Sequence, residues 1–369
     1  MKASCDREKL LHAFQMAAGV CPPRSPKPVL QNVKLVAAAD RATLLATDLE
    51  LAIRIEVAGF EVEAPGDLLL PVARFGAILR ESVDERLLLE SEGTRTLVRG
   101  SRSEFHLPTE NPDEYPDVVS FEEERYHTVG ARMFRELVRR TVFATNSESS
   151  RYALGGVLLE LAGDQILAVA TDGRRMAFQS GPAKAVGDHN TRNQTIVPTR
   201  AMQLIERALA DYDGEIQLAA RENDLLVKTD RATIYTRLLE GRFPKWRDVI
   251  PKFDQMTSIE LAVGPFYSAV RQAAIVTDES HPGVDFQFSE GKVTLLARSA
   301  ESGESRVEMP VAYEGREISI ALDPKFLIEF LRVLETDATF TLYLRDAESA
   351  VVGSTVDGYQ YVVMPLARE

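Results

Sequence analysis

The apolar positions of this chain fall into helical stretches separated by alternating runs, and the order of the two kinds repeats three times. Spacing of i, i+3, i+4 and i+7 predicts a helix through Leu10, Leu11, Phe14, Ala17 and Ala18, another through Met133, Phe134, Leu137 and Val138, and a third through Phe266, Ala269, Val270 and Ala273. A second helix in each copy follows a short strand and opens at a proline; Pro71, Pro198 and Pro324 lie 127 and 126 residues apart. Alternation of period two predicts hairpins over Val33 to Ala46, Val157 to Ala170 and Val284 to Leu296. Thr47-Asp48-Leu49-Glu50 and Thr171-Asp172-Gly173-Arg174 occupy the same place after the first two hairpins, where the third copy reads Arg298-Ser299-Ala300-Glu301. Each copy reads helix, hairpin, third strand, helix, hairpin. The expected class is α+β, three repeated units of antiparallel sheet and two helices, with copies at 1–120, 121–251 and 252–369.

Composition changes this picture little. At 369 residues, with 45% hydrophobic and 27% charged positions, the chain has the balance of a soluble globular protein. No apolar run approaches the roughly 18 residues that cross a bilayer, and the N-terminus turns polar at Ser4, Cys5, Asp6 and Arg7, unlike a signal peptide. Two cysteines, Cys5 and Cys21, make no disulfide framework, so a reducing cytoplasm is expected. The histidines have no metal-ligand spacing, and neither metal nor cofactor is expected.

Charge changes it more. A net charge of −13 argues against general adhesion to nucleic acid. Over the helical windows 6–19, 71–82, 131–143, 198–210, 264–276 and 323–334, however, the formal charges are 0, +1, +3, +1, +1 and 0, a total of +6 that leaves −19 for the rest. Widening each window by two residues a side lowers the total to +2 without changing its sign. Arg132, Arg135 and Arg139 share one helix face by spacing, opposite Phe134, Leu137 and Val138. A basic lining within an acidic exterior would hold a polyanion in one place and repel it elsewhere.

An enzymatic alternative would read Asp48 and Asp172 as metal-binding carboxylates of a nuclease. Both sit at one repeat position in predicted turns, where aspartate serves local hydrogen bonding. No phosphate-binding loop, Gly-x-Gly-x-x-Gly or His-Glu-x-x-His pattern occurs, and no histidine is placed as a general base.

Ala-Thr-Asp-Gly-Arg-Arg-Met-Ala at 170–177, Glu-Gly-Arg-Phe-Pro-Lys-Trp at 240–246 and Tyr-Val-Val-Met-Pro-Leu at 361–366 together closely resemble the bacterial sliding clamp, the beta subunit of DNA polymerase III holoenzyme. The resemblance spans the whole chain. It implies a non-catalytic processivity factor, a head-to-tail homodimer closed into a ring, with helices around duplex DNA and sheets outside. Its implied partners are the polymerase III catalytic subunit, the clamp loader and other proteins with a clamp-binding motif, in the cytoplasm at the nucleoid and away from membranes. Such a ring touches phosphates without reading sequence. The candidate contacts are Arg24, Arg74, Arg80, Arg132, Arg135, Arg139, Arg200, Arg207 and Lys325, with Tyr152 joining Arg24 at family positions that touch DNA. By the same resemblance, a partner-peptide groove is walled by Leu154, Thr171, Gly173, Arg174, Arg175, Met176, Pro244, Val249, Val362, Val363, Met364, Pro365 and Leu366. Arg174 stands where the family often has histidine, and Asp248 where it often has arginine. For the dimer contact the resemblance implies Phe105, Ile275 and Val276, with Arg74 and Arg102 placed to pair with Glu301 and Glu304.

Overall fold

The computed structural model describes residues 1–146, 153–191, 194–278 and 280–367. They divide into two compact units. One is Met1–Arg135 with Leu161–Asp164 and Pro182–Leu238; the other is Glu136–Glu160 with Gln165–Gly181 and Leu239–Glu369. Six α-helices occupy the six predicted stretches: α1 (Arg7–Ala18), α2 (Val72–Glu81), α3 (Ala131–Thr141), α4 (Thr199–Ala208), α5 (Val263–Ala273) and α6 (Pro324–Arg332). Asp6 caps α1 by accepting from Lys9 N at 3.0 Å, and Asp323 caps α6 by accepting from Lys325 N at 2.9 Å. Pro71 and Pro198 are themselves N-cap residues, whereas Pro324 is the first residue of α6. The three prolines are therefore out of register by one, and Asp323 is the counterpart of Pro71 and Pro198. Both positions tolerate proline because the missing N–H has no partner within the helix.

The hairpins form as predicted, but each copy holds more strands than the alternation suggested. A strand precedes the first helix in every copy (Lys2–Asp6, Tyr126–Gly130 and Thr257–Ala262), and each copy closes on a further one (Glu104–Pro108, Ala232–Arg237 and Gln360–Val363). The leading strands are five or six residues long, and Lys2–Asp6 buries only Ala3 and Cys5, too few apolar positions to stand out in a window.

In the first unit, a nine-stranded antiparallel sheet runs Lys184–Val186, Tyr126–Gly130, Glu215–Ala220, Asp224–Lys228, Ala232–Arg237, Leu51–Val57, Ala42–Thr47, Asn32–Ala37, Gly66–Pro71. A five-stranded sheet runs Phe60–Ala64, Lys2–Asp6, Arg86–Glu92, Arg95–Arg99, Glu104–Pro108. In the second unit, Gly156–Ala162, Gln165–Thr171 and Arg175–Pro182 continue into Gln360–Val363, Val351–Ser354, Thr339–Leu344 and Thr257–Ala262. A separate four-stranded sheet runs Gly303–Pro310, Lys292–Ser299, Val284–Ser289, Ile318–Leu322.

Val284–Ser289 alternates buried and half-buried positions, the pattern of a sheet covered on one face. Ala42–Thr47 is buried at all six positions. Helix α1 packs against it, and a cluster of Val29, Leu30, Leu45, Leu69 and Tyr115 also draws on it. The Tyr115 hydroxyl accepts from Thr47 N at 3.2 Å and donates to Asn32 O at 3.2 Å, so the buried phenol is satisfied.

A histidine pair is buried in the first unit, with His127 Nδ1 at 2.6 Å from His189 Nδ1. His127 Nε2 meets Gly163 O at 3.0 Å, and His189 Nε2 lies 3.1 Å from both Ala220 N and Ala220 O. With both rings neutral, the order Ala220 N–H to His189 Nε2, His189 Nδ1–H to His127 Nδ1, His127 Nε2–H to Gly163 O gives every ring nitrogen a partner. Burial accordingly pushes both imidazoles below the ordinary histidine range.

Candidate functional site

The Thr-Asp turns act as anchors for strand pairing. Thr47 Oγ1 accepts from Leu49 N at 2.9 Å and donates to Leu51 O at 3.1 Å. Thr171 Oγ1 accepts from Gly173 N at 3.1 Å and donates to Arg175 O at 2.6 Å. Asp48 Oδ1 accepts from Glu50 N and Leu51 N at 3.0 and 2.7 Å, and Asp172 Oδ1 from Arg174 N and Arg175 N at 2.9 and 3.0 Å. The second carboxylate oxygens pair with Arg200 and Arg175. Both aspartates are thus occupied as turn residues. Among the described residues, no group of three or more His, Cys, Asp or Glu side chains could hold a metal. The third copy reaches a similar turn with Ser299, whose Oγ accepts from Glu301 N at 3.2 Å and Ser302 N at 3.1 Å.

From these turns the next strands pair in a recurring way. Leu51 opposes Thr236, and Arg175 opposes Val363. In each case the strand after the turn takes the closing strand of the following copy as its neighbour.

Around the second of these seams the predicted groove residues divide into floor and rim. Leu154, Thr171, Met176, Val362 and Val363 are buried, whereas Val249 is 59% and Met364 49% exposed. Gly173 and Arg174 are exposed as well, with Pro244, Pro365 and Leu366 half-buried. Gly173 takes φ +91°, and nothing lies within 4 Å of where a Cβ would stand. The tail is tied down by Met364 N donating to Arg174 O at 2.9 Å and Leu366 N to Ala321 O at 2.8 Å. Trp246 is buried against Phe178, with ring centroids 5.1 Å apart, and its indole N–H meets Glu160 at 3.4 Å. These residues thus form a buried apolar floor bordered by exposed Val249 and Met364.

Arg175, expected as a wall of the groove, is buried, with a side chain 6% exposed. It ion-pairs with Asp172 and Glu329, donates to Phe143 O at 2.8 Å, and lies 4.5 Å from the centroid of Phe326. Sequence reading also passed over Arg140. Its 8%-exposed side chain meets Glu136 and Asp357 at 2.6 Å, Gln179 at 3.0 Å and the Tyr359 ring at 5.1 Å. An arginine three residues beyond Leu137, on the apolar arc of α3, was the available signal.

The predicted DNA contacts fall into two groups. Arg24, Arg74, Arg80, Arg132, Arg207 and Lys325 are exposed. Half-buried Arg135 and the likewise exposed Arg139 and Arg200 are engaged at the carbonyl ends of other helices: Arg135 donates to Leu209 O and Ala210 O at 2.7 and 2.5 Å, Arg139 to Val333 O at 3.1 Å, and Arg200 to Val20 O at 2.8 Å. These three neutralise helix C-termini, where a cation is favoured. Tyr152 lies outside the described residues.

Of the expected dimer residues, Phe105, Arg102 and Arg74 belong to the first unit, and Ile275, Val276, Glu301 and Glu304 to the second. Phe105 borders a pocket of about 360 Å³ with Ala77, Ile78, Val83 and Ser103. Ile275 is 77% exposed on the turn that follows α5.

Repeated sheet-and-helix copies joined closing strand to third strand define a three-domain clamp fold. Residues 1–119, 128–245 and 247–367 match the N-terminal, central and C-terminal domains of the DNA polymerase III beta subunit. The beta sliding clamp of Pseudomonas aeruginosa is 30% identical over 371 residues, covering 99% of this chain and 100% of that protein. That of Escherichia coli is 28% identical over 375 residues with the same coverage. Among solved structures, the P. aeruginosa sliding clamp bound to griselimycin superposes with a TM-score of 0.92 at 28% identity, over 100% of both chains. The chain belongs to the bacterial beta sliding clamp family.

Proposed function

We propose that two copies of this chain join head to tail into a ring that encircles duplex DNA and tethers the replicative polymerase through the groove around Met176, Val249 and Met364. The domains are assigned to residues 1–120, 121–251 and 252–369. One observation carries the reading: the pairing rule is used twice within the chain, and its third use lacks only a second chain. Glu104–Pro108 is the free edge of the five-stranded sheet and Gly303–Pro310 the free edge of the four-stranded one. Placed side by side, they reproduce the five-plus-four order of the nine-stranded sheet.

Register follows from the repeat. The strands after the turns begin at Leu51, Arg175 and Gly303. Arg99 opposes Glu104, Lys228 opposes Thr233, and Ser354 opposes Gln360, so Leu107 is the counterpart of Thr236 and Val363. Gly303 then faces the partner's Leu107, and Ser305 the partner's Phe105. Equivalence also supports the apolar contact. Phe143 and Tyr361, the counterparts of Ile275 and Phe105, lie with ring centroids 5.9 Å apart. The pocket beside Phe105 is the natural seat for the partner's Ile275.

The exposed Arg24, Arg74, Arg80, Arg132, Arg207 and Lys325 are the assigned phosphate contacts, with Arg135, Arg139 and Arg200 keeping helix ends from repelling DNA. The clamp loader and other clamp-binding proteins share the groove, and the ring works in the cytoplasm at the nucleoid. Protein placed by a clamp loader on nicked circular DNA is expected to survive a high-salt wash and to leave once the circle is cut. Equal loss from intact and cut circles would refute topological binding.

A further inference from the structure

We infer that the outer face of the seam between chains is a charge row that selects the register: Arg306 opposite the partner's Glu104, and Glu304 opposite the partner's His106. This rests on the head-to-tail reading above. Along Glu104–Pro108, Leu107 is buried while Glu104 and His106 are exposed; along Gly303–Pro310, Glu304, Arg306 and Glu308 are exposed. Strand alternation therefore sends Phe105 and Ser305 to the helix side and the charged residues to the outer side.

The charges within one chain already prepare the row. Glu104 accepts from Arg99 Nε at 2.8 Å and meets His106 Nε2 at 3.0 Å, contacts that hold its carboxyl below the usual range. Glu304 lies 3.5 Å from Arg298. Joining the edges gives the rows Arg99, Glu104, Arg306 and His106, Glu304, Arg298, so that Glu104 stands between two arginines and Glu304 between an arginine and an imidazole.

Slips make the selection visible. A slip by one residue turns every side chain to the wrong face. A slip by two in one direction sets Glu304 against Glu104 and Arg306 against Arg102. The opposite slip sets Arg306 against His106 and Glu308 against Glu104. Both even slips juxtapose like charges, which cross-strand positions penalise. At the corresponding place in the seam within the chain stand Met176 opposite Val362 and Phe178 opposite Gln360. The two seams thus use the same positions for opposite purposes, apolar where a peptide is to bind and charged where a second copy is to be recognised.

The partner recognised is a second copy of this chain. Each chain supplies both edges, so a substitution counts twice per ring, and a like-charge pair in place of Glu104 and Arg306 should weaken the dimer Kd about tenfold or more.

The test is sedimentation equilibrium of the full chain for wild type, Arg306→Glu and the charge-swapped Glu104→Arg, Arg306→Glu chain. The expected results are an Arg306→Glu dimer weakened about tenfold or more and a charge-swapped dimer restored toward the wild-type Kd. An Arg306→Glu dimer as tight as wild type, or a charge swap that restores nothing, overturns the charge row. A wild-type protein that stays monomeric at all concentrations refutes the head-to-tail reading itself.

Discussion

The register of the proposed seam can be tested to single-residue accuracy. Within the chain, Arg237 N donates to Glu50 O at 2.8 Å and Met364 N to Arg174 O at 2.9 Å, which makes these directly hydrogen-bonded pairs. Hydrogen-bonded and non-hydrogen-bonded pairs alternate in an antiparallel ladder. Carried to the seam between chains, the alternation makes Phe105 and the partner's Ser305 a non-hydrogen-bonded pair, with Cα atoms about 4.5 Å apart. That lies within the window of about 4.4–6.8 Å that a disulfide spans, whereas a diagonal neighbour at about 7–8 Å does not. The chain carrying Phe105→Cys and Ser305→Cys should give an intermolecular disulfide under mild oxidation, read as a dimer band on a non-reducing gel. The native Cys5 and Cys21 are buried and should not compete. Phe105→Cys with Val307→Cys should give none. Losing the aromatic costs about 1.5–3 kcal/mol of apolar burial, which the covalent link offsets. Efficient cross-linking of the Val307 pair but not the Ser305 pair would refute the register, and cross-linking of neither in a dimeric protein would refute the strand contact.

Other expectations concern the interior. Leu49 holds φ +81° at the position matching Gly173, which shows that the turn accepts a side chain there. Gly173→Leu should therefore fold with a penalty of about 1–3 kcal/mol, yet lose most affinity for a polymerase tail peptide in a fluorescence anisotropy titration; unchanged affinity would place the peptide elsewhere. Arg140→Met removes a buried guanidinium from Glu136 and from the exposed carboxylate of Asp357 and should cost about 1–3 kcal/mol in urea denaturation; an unchanged midpoint would show the cluster to be dispensable. The His127–His189 pair is held neutral by burial, so the unfolded chain takes up protons first on acidification. Its contribution is complete above the ordinary histidine value of about 6.5 and is lost as pH falls from there toward the depressed folded values. The denaturation midpoint should drop between pH 7.5 and 5.5, and much less so in a His127→Gln, His189→Gln chain.

Much of this was legible in the sequence because helix faces and hairpins repeat with strong periods. Phe134, Leu137 and Val138 on α3 are each fully buried, as their spacing required. The short leading strands were not legible, because pairing with neighbours rather than their own pattern makes them strands. The basic helix face was legible as a face but not arginine by arginine. Arg132 and Arg135 look alike in spacing, yet only the second reaches the carbonyl end of α4. Arg175 entered the groove through the family resemblance alone; the alternation of the strand it opens turns its side chain toward Phe326 and Glu329. The seam register was not legible at all from one-dimensional pattern. It emerges only when the two pairings inside the chain are laid over the two edges left free.

Pro108 gives that free edge a particular character. In the register derived above it stands where Arg237 and Met364 donate their backbone N–H groups to the facing strand, and proline has none to donate. In the proposed ring the joint between chains would thus be one bond short of the joints within them, and unlike those it would not be backed by a continuous polypeptide. A ring closed this way would carry its own perforation, a line along which it tears first and cleanly. DNA would then enter by parting two intact edges, with every domain left folded to close again behind it.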